Sequence, residues 1–363
     1  MSQARFDRPL LVVVGAGGVG KTTLAAALAL QSARTGLDTL VMTFDPSLRL
    51  KDALGVGEEA KQHPIAVASG TKGRLDVALL DARVTFDRLI RRYAPDPAAA
   101  ERIFSNRFYR DLAGNLAGIL EYMAVERLFE IKAEGGYQRI VLDTPPTRQA
   151  LDFLEAPDRI VNFLDSGAAR LALKPWWEPA RGLKGMPMRL AARGAEGLAD
   201  RLIGMRLVGD LVEFFRAFAP LYEGFRERAA EVRTLLRSSE TLFALVSGPG
   251  ARRIPDTLFF ARKLKEAGHH LGPIIVNQVH PRARAPEAVV QRPSPRRLSD
   301  PFRDGLALFE FLGARDRQGL VELRRLLAQA EPILAIPLQP IPPTDLPGLE
   351  ALGQSLVSGD VLL

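Results

Sequence analysis

The sequence contains no cysteine, which excludes disulfides, thiolate metal sites, iron–sulfur clusters and cysteine nucleophiles. Long apolar runs are also missing. The first apolar run, Pro9 to Val14, ends at Gly15, and no later run approaches the ~18–20 residues that a membrane span requires. No segment has the basic start, apolar stretch and cleavage site of a secretory signal. We therefore expect a soluble, cytoplasmic protein.

The remaining composition is that of a globular protein. Of 363 residues, 47% are hydrophobic and 25% are charged, which provides for a buried core and argues against disorder. Lysine and arginine exceed aspartate and glutamate by 49 to 42, a net charge of +7. Because the basic residues are spread along the chain, charge alone does not indicate a nucleic-acid partner, and we expect none.

Short buried runs alternate with helical patterns along most of the chain. This alternation predicts an α/β fold with a doubly wound, mainly parallel sheet. No internal repeat is visible, so we expect a single copy of the core. The predicted strands are Leu10–Val14, Thr39–Phe44, Leu75–Leu80, Arg139–Leu142, Thr241–Val246, Pro273–Val276 and Ile333–Ile336.

Two helical stretches interrupt the alternation. They cover about residues 85–135, with a long helix predicted from Phe108 to Lys132, and about residues 158–237. We predict that both are helical insertions, forming an inserted subdomain within a single domain of residues 1–363. The sheet-bearing core is then predicted at 1–84, 136–157 and 238–363.

One segment joins the first predicted strand to the first predicted helix and has the pattern G-x-x-x-x-G-K-[ST]. In such a loop, glycines let successive backbone N–H groups point at phosphate oxygens, and the helix N-terminus adds positive potential. Lys21 would balance charge on the β- and γ-phosphates, and the Thr22 hydroxyl would bind Mg²⁺. The alternative is a glycine turn that only caps a helix. The predicted nucleotide-binding residues here are Gly15, Ala16, Gly17, Gly18, Val19, Gly20, Lys21, Thr22 and Thr23.

Two aspartates end predicted strands, where parallel sheets gather their ligands. Asp143 follows the apolar run from Arg139 and is predicted as an outer-shell Mg²⁺ ligand; the alternative is a cap for a helix starting near Thr147. Asp45 follows the second strand and is predicted to orient or deprotonate the attacking water. Its alternative is a turn aspartate before Pro46.

In combination, these motifs resemble the arsenite-pump ATPase (ArsA) family, also called anion-transporting ATPases, which includes the ATPase that targets tail-anchored membrane proteins. The order and spacing of the motifs carry the resemblance, which covers nearly the whole chain. It implies a P-loop NTPase of the deviant Walker A class. The matching segments are Gly15–Thr23, Phe44–Leu48, Asp143–Thr147, Val276–Gln278, Gly118–Leu128 and Ala150–Pro157.

The resemblance implies roles for individual residues. Lys21 and Thr22 match the phosphate and magnesium residues, and Asp45 matches the aspartate of the first switch that activates water. Asp143 matches the carboxylate that opens the second switch. Asn277 matches the asparagine that contacts the adenine edge, which favours ATP over GTP.

The resemblance also implies that the region around Pro337 and Leu338 lines the other side of the base. ATP and Mg²⁺ are thus the expected ligands. Family members work as dimers around two nucleotides, so a dimer is expected here. Peripheral attachment at the inner membrane becomes an option beside the cytoplasmic location.

The chain departs from the family in three ways. Ala16 stands where most members carry a signature lysine that reaches the partner's nucleotide. We expect either a substitute arginine such as Arg49 in a homodimer, or a heterodimer with a paralogue that retains its lysine. Without cysteine, thiol-based arsenite activation and the zinc site of the targeting ATPase are excluded, and the four histidines suggest no metal other than magnesium. The chain also supplies one ATPase half where the pump ATPase has two.

These observations predict an ATPase in which nucleotide state controls docking to a membrane or protein partner. One alternative is an ATP-switched binding module for hydrophobic clients with slow hydrolysis, using the Met- and Phe-bearing segment Pro187 to Phe218 as a groove. The favoured interpretation of that segment is the core of a helical bundle, because apolar stripes on helices are usually packing surfaces. A less favoured alternative is a DNA-partitioning ATPase. The two helical insertions argue against it, because such proteins are usually little more than the nucleotide core.

Overall fold

The computed structural model describes residues 3–44, 49–67, 70–94, 96–106, 109, 119–165, 222–281, 301–327 and 331–358. Within these residues the chain forms an eight-stranded sheet with flanking helices. This confirms the predicted α/β class with a mainly parallel sheet.

The strand order is β3-β4-β2-β5-β1-β6-β7-β8, and every pairing is parallel except the antiparallel pair of β3 and β4. Chain connections run in opposite directions on either side of β1, so β1 ends at a switch point of the sheet, where α/β proteins bind ligands. The strands are β1 Leu10–Gly15, β2 Thr39–Thr43, β3 Ile65–Ala66, β4 Leu75–Leu79, β5 Arg139–Asp143, β6 Thr241–Ser247, β7 Leu271–Val279 and β8 Ile333–Pro337.

The helices follow the predicted alternation. In chain order they are α1 Lys21–Arg34, α2 Arg49–Leu54, α3 Ala82–Tyr93, α4 Pro97–Ser105, α5 Ile119–Glu134, α6 Thr147–Asp165, α7 Tyr222–Arg237, α8 Ile254–Glu266, α9 Pro301–Leu326 and α10 Leu346–Ser358. Single 3-10 turns lie at Gln3–Phe6, Glu58–Lys61 and Ala251–Arg253.

The central strands are buried along their whole length, because helices cover both faces of a parallel sheet. Every residue of β1, β2, β4 and β5 is buried. Helix α1 packs its alanine- and leucine-rich sequence into the same core, and an added Cβ at Gly353 of α10 would come 2.9 Å from the carbonyl oxygen of Ala27. This packing fixes α1, and with it the loop that precedes α1.

The chain divides into two compact units. The first comprises Met1–Leu79, Gly136–Leu151 and Leu235–Leu363 and contains the sheet; the second comprises Leu80–Gly135 and Asp152–Thr234. The predicted insertion boundaries at 85–135 and 158–237 stay a prediction.

The described part of the second unit is helical and contains a buried ion pair. Nε of Arg228 on α7 lies 2.6 Å from Oε2 of Glu126 on α5. The guanidinium also lies over the Tyr93 ring, 4.1 Å from its centroid, and the Tyr122 hydroxyl bonds to Glu126. Burial raises the pKa of Glu126, although Arg228 opposes the shift. Since either charge alone would be costly at this depth, the pair ties α5 to α7.

Two predicted segments lie partly outside the described residues, and one strand was not expected from the sequence. The helix expected from Phe108 to Lys132 is described only as α5, Ile119–Glu134, because residues 110–118 lie outside the described part. The two-residue strand β3 was not predicted, because it is too short to leave a pattern. Most of 158–237, including Pro187 to Phe218, lies outside the described residues. Across the described ranges, no helix is long and apolar enough to cross a membrane.

Candidate functional site

The predicted phosphate loop lies at the carboxyl end of β1 and leads directly into α1. Three of its glycines have positive φ angles: 150° at Gly15, 76° at Gly18 and 88° at Gly20. Side chains rarely adopt such angles. The N-terminus of α1 has no side-chain cap at Gly20. Its first N–H groups are therefore available to an anion.

Close packing also requires glycine at both ends of this loop. An added Cβ at Gly15 would lie 2.1 Å from the carbonyl oxygen of Val246 on β6, and one at Gly20 would lie 2.5 Å from Nδ2 of Asn277. The loop is thus clamped between β6 and β7. The glycine pattern reflects tertiary packing as well as local backbone curvature.

Lys21 begins α1, and its side chain turns back over the loop. It is 7% exposed, and Nζ donates to the carbonyl oxygen of Ala16 at 2.9 Å. A lysine ammonium is costly to bury, so its placement against the glycine loop at the start of α1 indicates a site for negative charge.

Thr22 and Asp143 are in contact at the carboxyl ends of the central strands. The Thr22 hydroxyl donates to Oδ2 of Asp143 at 2.7 Å, and the hydroxyl of Thr43, the last residue of β2, donates to the same oxygen at 2.8 Å. Asp143 is fully buried. Backbone pairing opposite Val13 on one side and Thr43 on the other fixes its position. A hydroxyl and a carboxylate oxygen of this kind are the ligands that Mg²⁺ prefers.

Oδ2 of Asp143 accepts from the two threonine hydroxyls, and both interpretations of Asp143, as a metal ligand and as a cap for the helix α6 that begins at Thr147, stay predictions. The next residue, Thr144, bonds back to β1, with its hydroxyl 2.8 Å from the carbonyl oxygen of Val13. The segment that opens the predicted second switch is therefore attached to the strand that carries the loop.

Asn277 lies on the opposite side of the loop from Asp143. It is 8% exposed, and its Nδ2 donates to the carbonyl oxygen of Val19 at 2.9 Å. The predicted base contact thus lies against the loop, with its amide held by the loop backbone. Pro337 and Leu338 follow at the end of β8 and are exposed; the Leu338 N–H donates to the carbonyl oxygen of Val279 at 2.8 Å.

Several predicted features lie outside the described residues. Asp45 falls in the undescribed segment 45–48. Arg49 begins α2, and nothing is described of its side chain. Their predicted roles stay predictions.

Sequence reasoning missed three neighbours of the predicted residues. Thr43 shares Asp143 with Thr22, and its place two residues before Asp45 was the available signal. His280, which is half-buried, and the fully buried Asp316 form a pair just beyond Asn277 at the end of β7. No motif links those two, because they lie 36 residues apart in the sequence.

A small pocket lies beside the start of the loop. Its lining includes Gly15, Ala16, Ser247, Arg253 and Asp256. The side chain of Arg253 is exposed. The pocket therefore places an arginine on the side of the loop where Ala16 contributes only a methyl group.

Comparison with known proteins gives a consistent result. The profile described as anion-transporting ATPase matches residues 9–293. The ATPase get3 of Aspergillus terreus is 31% identical over 169 residues, 45% of this chain and 46% of that protein.

Two further relatives are similar. The ATPase GET3 of Chaetomium globosum is 30% identical over 149 residues, 40% of this chain and 42% of its own length. A Halobacterium salinarum protein named provisionally as an arsenical pump-driving ATPase is 30% identical over 176 residues, 46% of this chain and 26% of its own length. The alignments thus span less than half the length of these curated relatives.

Proposed function

The chain belongs to the anion-transporting ATPase family, and we propose that it binds ATP with Mg²⁺ at the loop Gly15–Thr22 and hydrolyses the terminal phosphate. One observation carries the proposal. The loop brings the buried Lys21 ammonium together with a threonine hydroxyl that contacts a buried strand-end carboxylate. Phosphoryl transfer needs positioned charge more than it needs covalent chemistry.

At the phosphate end, the backbone N–H groups of the loop and of the first turn of α1 would bind phosphate oxygens. The residues contributing this cradle are Gly15, Ala16, Gly17, Gly18, Val19, Gly20 and Thr23. Lys21 would leave the carbonyl oxygen of Ala16 and bind the β- and γ-phosphates. The exchange is favourable, because an ammonium binds a phosphate oxygen more strongly than a neutral carbonyl.

The donor set at Thr22 and Asp143 fits Mg²⁺. The Thr22 hydroxyl would bind the ion directly, and Asp143 would bind its water ligands and orient Thr22. When bound, the ion neutralises charge on the phosphate oxygens. Thr43 supports this arrangement because it donates to the same Asp143 oxygen.

Asp45 is proposed to accept the proton of the attacking water or to orient that water, from the segment that follows β2. At the other end of the nucleotide, the Asn277 amide would contact the adenine edge, and Pro337 and Leu338 would contact the face of the base. The position of Asn277 against Val19 supports this role, because it places one amide beside the loop that holds the phosphates.

We further propose that two chains face each other around nucleotide and that ATP state controls binding to a membrane or protein partner. The partner would be a membrane protein or a hydrophobic client. Family membership supports this part of the proposal. Both the homodimer and the heterodimer with a lysine-bearing paralogue follow from Ala16, and a mass measurement with and without a non-hydrolysable ATP analogue distinguishes them.

The experiment that tests the activity compares two buried strand aspartates. Asp143 and Asp76 both accept a hydrogen bond from a hydroxyl group, Asp76 from that of Tyr137 at 2.7 Å. Of the two, Asp143 is the one at the carboxyl end of its strand, beside the loop. We expect Mg²⁺-dependent ATPase activity that falls about 100-fold in Asp143→Asn and stays within about twofold in the control Asp76→Asn. Wild-type protein without ATPase activity at any protein concentration contradicts self-sufficient hydrolysis. Equal loss in both variants contradicts the site.

A further inference from the structure

Strand β7 carries one extra residue next to the proposed base contact. Between Val276 and Val279 it advances three positions, while β8 advances two, from Ala335 to Pro337. This is a β-bulge, a device that re-aims side chains near active sites. Within it Gln278 has a φ of 62°, alone with a positive φ among the described non-glycine residues.

A left-handed φ at glutamine costs free energy and persists only where the surroundings hold it. The side chain of Gln278 is exposed, so its own packing does not explain the conformation. The residue before it is Asn277, whose amide reaches the loop carbonyl of Val19. The positive φ of Gln278 therefore lies between Asn277, the proposed base contact, and the hydrogen bonds that hold the end of β7.

Three hydrogen bonds hold that end. The carbonyl oxygen of Val279 accepts from the Leu338 N–H at 2.8 Å. The His280 N–H donates to Oδ2 of Asp316 at 3.0 Å, and the ring Nδ1 of His280 lies 2.7 Å from the same oxygen. Two of the three therefore depend on one carboxylate.

Asp316 holds the end of β7 from a fixed position, because it is fully buried on α9 and both of its carboxylate oxygens accept hydrogen bonds. Its Oδ1 accepts from Nη2 and Nε of Arg315 at 2.9 and 3.2 Å. Burial alone would raise the pKa of Asp316, but the hydrogen bonds from His280 and Arg315 outweigh it and lower the pKa. The carboxylate therefore stays charged and keeps accepting both His280 bonds.

From this arrangement we propose that His280 and Asp316 are positioning residues, which hold the bulge at Gln278 and so keep Asn277 against the glycine loop for the base of the nucleotide. The proposal rests on the proposed function, since it assigns a determinant of base binding at the same site. Without the His280 bonds, Gln278 relaxes towards an extended backbone, and the Asn277 amide leaves its place beside Val19.

The test separates base binding from phosphate binding. Calorimetric titrations with Mg²⁺ use AMP-PNP, which carries the base, and inorganic tripolyphosphate, which does not. We expect His280→Ala to weaken AMP-PNP binding about tenfold, a change of about 1.4 kcal/mol, and to change tripolyphosphate binding less than about twofold. His280→Asn keeps a donor near Asp316, so it should restore most of the affinity.

Two further variants test the route through Asn277. In an Asn277→Ala background, His280→Ala should add no further loss, because residues that act in one chain of contacts are non-additive. The matched control is His269→Ala at the other end of β7. His269 is buried, with Nδ1 3.0 Å from the carbonyl oxygen of Leu236, but it lies far from the bulge, so its removal should lower thermal stability and leave AMP-PNP affinity unchanged.

The outcomes are distinct. Equal losses for both probes, an additive effect with Asn277→Ala, or a loss in His269→Ala as large as that in His280→Ala overturns the positioning role and leaves the proposed function standing. Wild-type protein that binds neither probe overturns the proposed function, and the inference with it. If His280→Ala does not fold, Asp316→Asn supplies the same comparison, because it weakens the acceptor of both His280 bonds.

Discussion

The phosphate loop and the β7 bulge meet at Val19 and Gly20, yet they are held in different ways. The loop takes its shape from four closely spaced glycines, Gly15, Gly17, Gly18 and Gly20, and from the strand and helix on either side of it. The bulge takes its shape from a carboxylate on α9 and a backbone N–H after β8, both distant in sequence. The loop therefore draws its conformation mainly from residues within the segment, with β6 and β7 packed against it, whereas the bulge depends on contacts that a single distant substitution removes.

The two regions also differ in charge. The loop presents the Lys21 ammonium and free helix N–H groups, and it has the positive potential that phosphate requires. The bulge presents the uncharged amide of Asn277. The charged groups nearby are Asp316 and Arg315, which bond to each other, and Asp316 also bonds to His280. In the site as we propose it, a charged end would bind the phosphates and a neutral end would select the base. The predictions below test this separation.

The largest effect is expected from removal of the loop charge. Lys21→Ala should lower ATP turnover by about 100-fold or more, since it removes charge compensation on the transferring phosphate. Steady-state ATPase assays measure the change. Lys263→Ala is the control, because that exposed lysine pairs only with Glu266 on α8. A Lys21→Ala variant with more than half of wild-type turnover contradicts the assignment.

A smaller effect is expected where the two regions touch. Gly20→Ala and Gly18→Ala both place a side chain at a positive φ, but only the Cβ at position 20 meets Asn277, at 2.5 Å. We expect about 1 kcal/mol of lost unfolding free energy for Gly18→Ala and about 2–3 kcal/mol for Gly20→Ala. Urea unfolding without nucleotide measures both. Equal losses would show that the contact between the loop and Asn277 adds no constraint.

A third prediction concerns the carboxylate end of the loop. Thr43→Val keeps the side-chain shape but removes the hydroxyl that donates to Asp143. The unfolding free energy should fall by about 1 kcal/mol, and the Mg²⁺ concentration for half-maximal ATPase activity should rise severalfold. Thr43→Ser retains the hydroxyl and is the control. An unchanged Mg²⁺ requirement in Thr43→Val separates Thr43 from the metal site.

The smallest effect is a pH dependence at the bulge. Since the folded-state pKa of Asp316 is lowered below its ordinary value, the folded state binds fewer protons than the unfolded state in the acid range. Its stabilisation is fully present above the unfolded pKa and is lost as the pH falls through the folded pKa. Asp316→Asn should therefore flatten the acid limb of the stability curve, measured by thermal unfolding between about pH 2 and 6. An unchanged acid limb contradicts this.

Much of the fold followed from periodicity alone. The seven predicted strands are present with ends shifted by one to a few residues, because continuous apolar runs bounded by glycines leave little alternative to a buried parallel strand. The antiparallel β3 escaped prediction because two residues, half-buried Ile65 and exposed Ala66, carry no period. Family membership also followed from the order of the motifs.

The candidate site likewise has parts that could be predicted from the sequence and parts that could not. The phosphate loop, and Asp143 beside it, could be read from the sequence because strand ends converge at one edge of a parallel sheet. Thr43 as a second donor to Asp143, and Asp316 as the anchor of His280, could not. Both contacts depend on how strands and helices pack, and nothing in the local sequence specifies such pairing.

The sequence by itself determined the fold class, the family and the location of the charged end of the site, because those depend on hydrophobic periodicity and on residues close together in the chain. Only the tertiary structure decided how that end is completed: which hydroxyls share Asp143, why Gly20 must lack a side chain, and how a strained Gln278 is held in place. Each of these depends on distances of a few ångströms between residues far apart in sequence, and such distances are fixed only when the core packs.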